Sequence, residues 1–412
     1  MNTHASLFYL LFLTSSLVNN IKCLYVLPIK TSIDYKDTTD TSKIMHNFLT
    51  NNIYTELDIG KPSQKLSIMI KSKDYCSYIG ANLCHIENSN YDSEKSEYFE
   101  NITPYNLIFN TFKDVCLANE KMKISTNYKK SFSSLEEVNL NQFYHAPNNT
   151  YSSENPNTCG VFGFKYKFDG NIEGENKCTN LIKSINNTTN NKIKNLVFSI
   201  KYSEKDDDID GKLIIGEYPH EYDSKNYNIK DYKKASLNLN NNNNFHTIFQ
   251  EIYFFKNNKK ISIEKPEELY TIFTLEQNMF MVPRTFFILY VENFFEEYIQ
   301  RDICYYMDID LSKYRTIICD KDKIESLDNF YDNFPTAYFF HFEFNTTFEF
   351  ERKELLIEED NHIYFMMYID NDNNQNLWGI GKIFMEKYLL TFDYRNKSIG
   401  YYYGTDEKEN II

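Results

Sequence analysis

The most suggestive ligand spacing in the chain is Asp206-X-Asp208-X-Asp210-Gly211, followed after five residues by Glu217. Oxygen donors at these intervals match the loop of a helix–loop–helix calcium site letter for letter. That motif needs a helix on each side, and both flanks read as strands: Leu196-Val197-Phe198-Ser199-Ile200 before, Lys212-Leu213-Ile214-Ile215-Gly216 after. Glu217 then falls at the far end of a strand, where it cannot fold back as a bidentate ligand. A solvated hairpin turn is the expectation. No Cys-X-X-Cys pair or histidine cluster suggests zinc, and no metal or cofactor is expected.

Cysteines and glycosylation acceptors come next. Of eight cysteines, Cys23 sits at the end of an apolar leader, leaving seven: enough for three disulfides and one thiol. Cys76 and Cys84 are close enough in sequence to close a small ring. Asn-X-Ser/Thr acceptors occur at Asn101, Asn148, Asn186, Asn187, Asn345 and Asn396, mostly in polar stretches that read as loops. An Asn-rich chain yields several such matches by chance. The leader itself, Met1 to Cys23, has an apolar stretch from Leu7 to Val18, too short to span a bilayer, and reads as a secretory signal peptide whose first residues carry no Lys or Arg. The mature chain is expected to enter the secretory route with no membrane span. A net charge of −14 argues against a nucleic-acid partner, which needs a basic face.

The elements that would position these groups are mostly strands. Asn51–Ile79 reads as two strands joined by a turn at Gly60-Lys61-Pro62, with Tyr54, Leu57 and Ile59 on the first; on the second, Leu66, Ile68 and Ile70 alternate with Lys65, Ser67 and Met69 as in a strand with one buried face. Ahead of it, Leu24-Tyr-Val-Leu-Pro-Ile-Lys30 reads as the first strand of the mature fold. Further strands are read in Ser93–Leu135, and Cys159-Gly-Val-Phe-Gly163 is a compact apolar run whose glycines mark a close backbone approach. Pro219–Phe245 reads as a polar connector. Phe249–Phe254 opens a second strand-rich half, with Asn257-Asn258 as a hairpin turn and Tyr270–Thr274 as a strand. Pro283 starts a helix over Arg284–Gln300, with Pro at the favoured first position. Trp378-Gly-Ile-Gly381 leads into a closing strand, Leu389–Asp393. Both halves thus share a plan: a strand with a loop at its end, and later a short apolar run closed by Gly.

With these motifs in hand, the chain resembles the pepsin-like aspartic peptidases. Tyr54-X-X-X-Asp58-Ile-Gly60-X-Pro62-X-Gln64 is similar to that family's entry hairpin, Gly211–Gly216 to the hairpin that ends its first lobe, and Trp378-X-X-Gly381-X-X-Phe384 through Phe392-Asp393 to Ile399-Gly400 to its closing segment. The resemblance implies a mainly β, bilobal fold around a central cleft: a signal peptide over 1–23, an N-terminal lobe over 24–220, a connector over 221–245 and a C-terminal lobe over 246–405. It also implies a Cys304–Cys319 disulfide in the second lobe. Cys116, Cys159 and Cys178 then leave one cysteine over.

The family's chemistry uses one aspartate per lobe, in Asp-Thr/Ser-Gly triplets. The two share a proton and activate a water, because adjacent carboxylates cannot both ionise cheaply. The corresponding triplets here are Lys71-Ser72-Lys73 and Thr274-Leu275-Glu276, so Lys71 and Thr274 occupy the catalytic slots. Asp74 cannot stand in without inverting the faces of its strand. Glu276 keeps parity with Thr274 but would lie about 6–7 Å further along an extended chain. No Tyr-plus-Gly flap is recognisable between Asn101 and Lys130. The expected function is that of a secreted, catalytically inactive peptidase homologue, a monomeric binding or structural glycoprotein with a protein, peptide or glycan ligand in its cleft. The alternative is an endopeptidase with a displaced or atypical dyad. Lys71 itself is read as a structural ion-pair partner rather than a ligand-binding group.

Overall fold

A computed structural model describes residues 24–31, 40–49, 53–72, 76–80, 91–102, 107–109, 112–125, 135–146, 160–165, 180–188, 193–206, 209–237, 245–262, 270–309, 313–372 and 377–402. The expected signal peptide at 1–23 and the Asn-rich tract at 238–244 lie outside these residues. The fold is mainly β. Its largest sheet runs, in spatial order, through Tyr232–Ser236, Ser398–Tyr402, Leu390–Asp393, Val197–Asp206, Ile209–Ile215, Tyr25–Thr31, Ile53–Ile59, Gln64–Lys71, Gly160–Gly163, Tyr78–Gly80, Leu135–Ala146 and Phe112–Ser125.

The entry hairpin forms where its pattern predicts. Ile53, Thr55, Leu57 and Ile59 are buried in alternation, and Gly60 turns the chain at φ +83°, which a side chain would resist. The second strand departs from the one-faced expectation. Ser67 and Met69 are only 8% and 6% exposed, because Gln64–Lys71 is interior to the sheet, antiparallel to Ile53–Ile59 and parallel to Gly160–Gly163. Parallel pairing of this kind is normally covered on both faces.

The wiring around that strand occurs twice. In the first half, Gly160–Gly163 is also antiparallel to Tyr78–Gly80, which is parallel to Leu135–Ala146. In the second half, Tyr270–Phe273 is antiparallel to His246–Ile248 and parallel to Leu377–Ile380. That last strand is antiparallel to Phe280–Met281, which is parallel to Met367–Asp370. Register makes the correspondence residue by residue: Ile70 faces Phe162 and Lys71 faces Gly163, as Phe273 faces Ile380 and Thr274 donates its N–H to the Ile380 carbonyl at 2.9 Å. Lys71 and Thr274 therefore end equivalent strands.

Two of the connections that join the halves are a strand pair and a helix. Leu390–Asp393 pairs with Val197–Ser199, stacking Phe392 on Phe198 with centroids 4.7 Å apart, while the Tyr394 hydroxyl donates to the Phe164 carbonyl. The other connection is a helix, Thr41–Leu49, in a segment that reads only as charged. The Asp40 side chain accepts the Ser42 N–H at 3.0 Å, capping the helix, and Ile44, Met45, Phe48 and Leu49 form its buried face. Phe48 meets Tyr364 edge-on, and Asn278 donates to the Leu49 and Asn47 carbonyls.

Other expectations are met or refined by local physics. The connector holds a strand, Tyr232–Ser236, that pairs with Ser398–Tyr402, so it is not all loop. The helix after Pro283 runs from Arg284 to Gln300, with one wide π turn at Val291–Phe295. Asn257 and Asn258 take φ +48° and +61°, as a tight hairpin turn demands. Of the acidic run, Asp206 ends one strand and Asp210 lies in its antiparallel partner, Ile209–Ile215, while 207–208 lie outside the described residues; Asp210 accepts from the Thr31 N–H and hydroxyl at 2.6 and 3.0 Å, tying down the end of the first strand.

Candidate functional site

The two equivalent strand ends meet. Leaving its strand, Thr274 is 2% exposed, and the chain turns at once through Leu275 and Glu276. The turn is clamped from below: the Lys382 N–H donates to the Gln277 carbonyl at 2.7 Å, and a Cβ on Gly381 would lie 2.1 Å from that same oxygen. Only glycine fits there. From the other half comes Ser72, 4% exposed, whose Oγ accepts the Leu275 N–H at 3.0 Å. Ser72 directly follows Lys71 as Leu275 directly follows Thr274, so the contact joins equivalent positions.

A carboxylate sits at this junction. The Ser72 hydroxyl donates to Glu276 Oε2 at 2.6 Å, the Thr274 hydroxyl donates to the same oxygen at 2.8 Å, and the Glu276 N–H returns to Thr274 Oγ1 at 3.3 Å. The extended-chain spacing that set Glu276 apart from Thr274 does not hold, because Thr274–Glu276 is a turn and the side chain folds back over it. Both hydroxyl protons are committed to one oxygen, which fixes the carboxylate's orientation and makes the three side chains a unit. A hydroxyl hydrogen-bonded to a carboxylate is also the geometry of an activated nucleophile. Here the Ser72 oxygen is enclosed and already accepts a backbone N–H, which suits a structural bridge better than attack on a substrate.

Lys71 is half-buried, and among the described residues no carboxylate lies within ion-pair distance of its ammonium. The expected structural ion pair is therefore not formed with any described residue. Lys73 and Asp74 lie outside the described residues. A two-carboxylate, shared-proton mechanism needs a second acid within hydrogen-bond reach of the first; among the described residues, the groups found against Glu276 Oε2 are hydroxyls.

The remaining sequence-predicted sites are scattered. Cys304 and Cys319 are disulfide-bonded across paired strands, directly opposite in register. Cys76 is also disulfide-bonded; its expected partner Cys84, like Cys159 and Cys178, lies outside the described residues. Cys116 is a buried thiol, its sulfur 3.1 Å from Asn101 Oδ1. Asn101 and Asn345 are exposed, Asn345 at φ +47° on the tip of the Ala337–His341/Thr346–Phe350 hairpin. Asn396 is exposed too, but its amide donates to Asp393 Oδ2 at 2.7 Å. Asn186 and Asn187 lie in the last turn of the helix Leu181–Thr188 rather than in a loop, and Asn148 is outside the described residues. Among the described residues, no helix is long and apolar enough to cross a membrane, and no group of three or more His, Cys, Asp or Glu side chains could hold a metal.

Among the described residues, three buried histidines stand elsewhere in the fold. Burial lowers His145, His246 and His341 from the usual imidazole range to about 4. His341 Nε2 lies 2.6 Å from Thr247 Oγ1, so it is part of a buried polar pair. The sequence does not announce the junction, since it depends on a turn that the spacing of Thr274 and Glu276 does not reveal. The chain matches no family model, and no curated protein matches it.

Proposed function

We propose that the chain is a secreted, pepsin-like two-lobed protein whose cleft has been released from peptide-bond chemistry and serves binding instead. The observation that carries this reading is the junction itself. Equivalent strands from two identically wired halves bring their ends together, as a two-aspartate site would require, yet one ends in Lys71 and the other in Thr274. Among the described residues, the groups against Glu276 Oε2 are the hydroxyls of Ser72 and Thr274. An ammonium at the first slot opposes the general-base role that water activation needs. The ligand proposed for the cleft is a protein, peptide or glycan, held by a glycoprotein that acts as a monomer.

A second reading has one observation in its favour: Glu276 does reach the junction, so an atypical single-carboxylate endopeptidase would use it as base. Incubating the purified, deglycosylated full chain with unfolded protein substrates from pH 3 to 7, with and without pepstatin, separates the two. No cleavage above background, and no change on Glu276→Gln, is the expected result. Cleavage abolished by Glu276→Gln would replace the first reading with the second.

A further inference from the structure

None of the Ser72–Glu276 residues lines a separate groove of about 850 Å3, found between the tip of the Glu251–Lys256/Lys259–Ser262 hairpin, the helical run from Arg284 to Gln300 and the helix Leu327–Asp332. Its wall includes the π turn Val291–Phe295, a geometry uncommon in helices and frequent at functional sites. That turn brings Asn293 and Phe294 to the groove, and Lys256 Nζ donates to the Asn293 carbonyl at 2.5 Å. The floor is aromatic: Phe294 packs edge-on with Phe334 and tilted against Tyr298, with centroids 4.9 and 5.7 Å away. At the mouth, Phe255 is 43% exposed.

The charge is one-sided. Five carboxylates line the groove (Glu292, Glu296, Glu297, Glu325 and Asp332) against two cations, Lys256 and Arg301. Both cations are already engaged, Lys256 on a backbone carbonyl and Arg301 with Glu325 and Glu297. Among the described residues, none places a cation within ion-pair distance of Glu292, Glu296 or Asp332, so the rim carries uncompensated negative charge beside the exposed ring of Phe255 and the half-buried rings of Phe294 and Tyr298.

We propose that this groove docks an extended basic segment of a partner protein. Arginine or lysine side chains would lie over Phe255, Phe294 and Tyr298 and reach the three uncompensated carboxylates. Aromatic faces attract cations, and the attraction grows as water is excluded. Arginine suits the site better than lysine, because its planar fork both stacks and pairs with a carboxylate. A neutral ligand such as a glycan would use the rings and amides but would gain nothing from the surplus charge.

The test uses the full chain and three fluorescein-labelled dodecapeptides: one with four arginines spaced by Gly and Ser, one with citrulline at those positions, and one with glutamate. Fluorescence anisotropy should show binding of the arginine peptide only, weakening as salt is raised. The triple variant Glu292→Gln/Glu296→Gln/Asp332→Asn should weaken it by about tenfold, as the sum of three modest ion pairs. A control variant of equal charge change on exposed residues elsewhere, Glu94→Gln/Glu100→Gln/Asp360→Asn, should change it by less than about twofold. Phe255→Ala, at the exposed mouth, should also weaken binding while leaving thermal unfolding unchanged. Equal loss in both triple variants would mean that only the chain's overall charge attracts the peptide, and would overturn the proposal. So would equal binding of the citrulline peptide, or no binding of any peptide.

Discussion

The two halves share a wiring diagram and differ at nearly every side chain that closes it. Gly160 and Trp378 hold equivalent places on the two short parallel strands. In the first half a Cβ at that place would lie 2.4 Å from the Tyr78 carbonyl oxygen. In the second, an indole with no exposed surface fills the space between Phe286 and Phe339, edge-on to both at 4.9 and 5.5 Å. One half achieves the geometry by close backbone approach, the other by an aromatic spacer. What must be kept is the ladder of backbone hydrogen bonds, and many packings satisfy it. The same holds at the strand ends, where Lys71 and Thr274 sit on equivalent backbone with unrelated chemistry.

The largest way to break this comparison is acid. Unfolded histidine takes up a proton near pH 6.5, whereas His145, His246 and His341 resist it until about 4. Between those values the unfolded state binds more protons, so stability is full above pH 6.5 and falls as pH drops toward 4, by roughly 1 kcal/mol per pH unit for each histidine. His246 and His341 lie in the second half and His145 in the first, so the second half should lose more. Thermal unfolding followed from pH 7.5 to 4.5 checks this; a flat profile would contradict it. Next in size, Trp378→Ala should cost about 3–5 kcal/mol in urea unfolding, from lost burial plus the cavity left behind. Gly160→Ala should destabilise the first half by forcing Tyr78 off its carbonyl position, and if it proves neutral the close-approach account fails.

Smaller effects probe the junction. Ser72→Ala removes the hydroxyl that accepts the Leu275 N–H and donates to Glu276, losing two hydrogen bonds at the buried junction, at about 1–3 kcal/mol. Ser72→Thr should restore most of that in the same unfolding measurement. Smallest of all, Lys71→Met should stay within about 0.5 kcal/mol of the parent. A large loss there would reveal a role for the ammonium that the described residues do not account for.

Much of the fold was legible because its signals are local. Alternation in Ile53–Ile59, the Asn257-Asn258 turn and Pro283 before its helix each state their geometry within a few residues. The two matched positions, Lys71 and Thr274, were legible as well, by counting from Gln64 and back from Pro283 to the places the family resemblance implies. What escaped depends on contacts between distant segments. Ser67 and Met69 read as outward because alternation cannot reveal that a strand is interior to a sheet. The capped helix Thr41–Leu49 was hidden in a charged stretch, although Asp40 followed by Ile44, Met45 and Phe48 carries a cap and an apolar face. Glu276 was set aside because two residues of extended chain separate it from Thr274; the turn that returns it is held by Gly381, more than a hundred residues later.

The pairing of Leu390–Asp393 with Val197–Asp206 also sets a timetable for biosynthesis. By the time residue 206 has left the ribosome, most strands of the first half exist, but Val197–Asp206 presents an open edge on the side that Leu390–Asp393 will occupy. Its natural cover is made almost two hundred residues later. Until then an apolar edge rich in Val, Phe and Ile is available to any passing strand. A nascent chain stalled short of Leu390 would carry a nearly finished first half with no means of closing it, and its fate would be aggregation or a chaperone rather than a smaller folded protein.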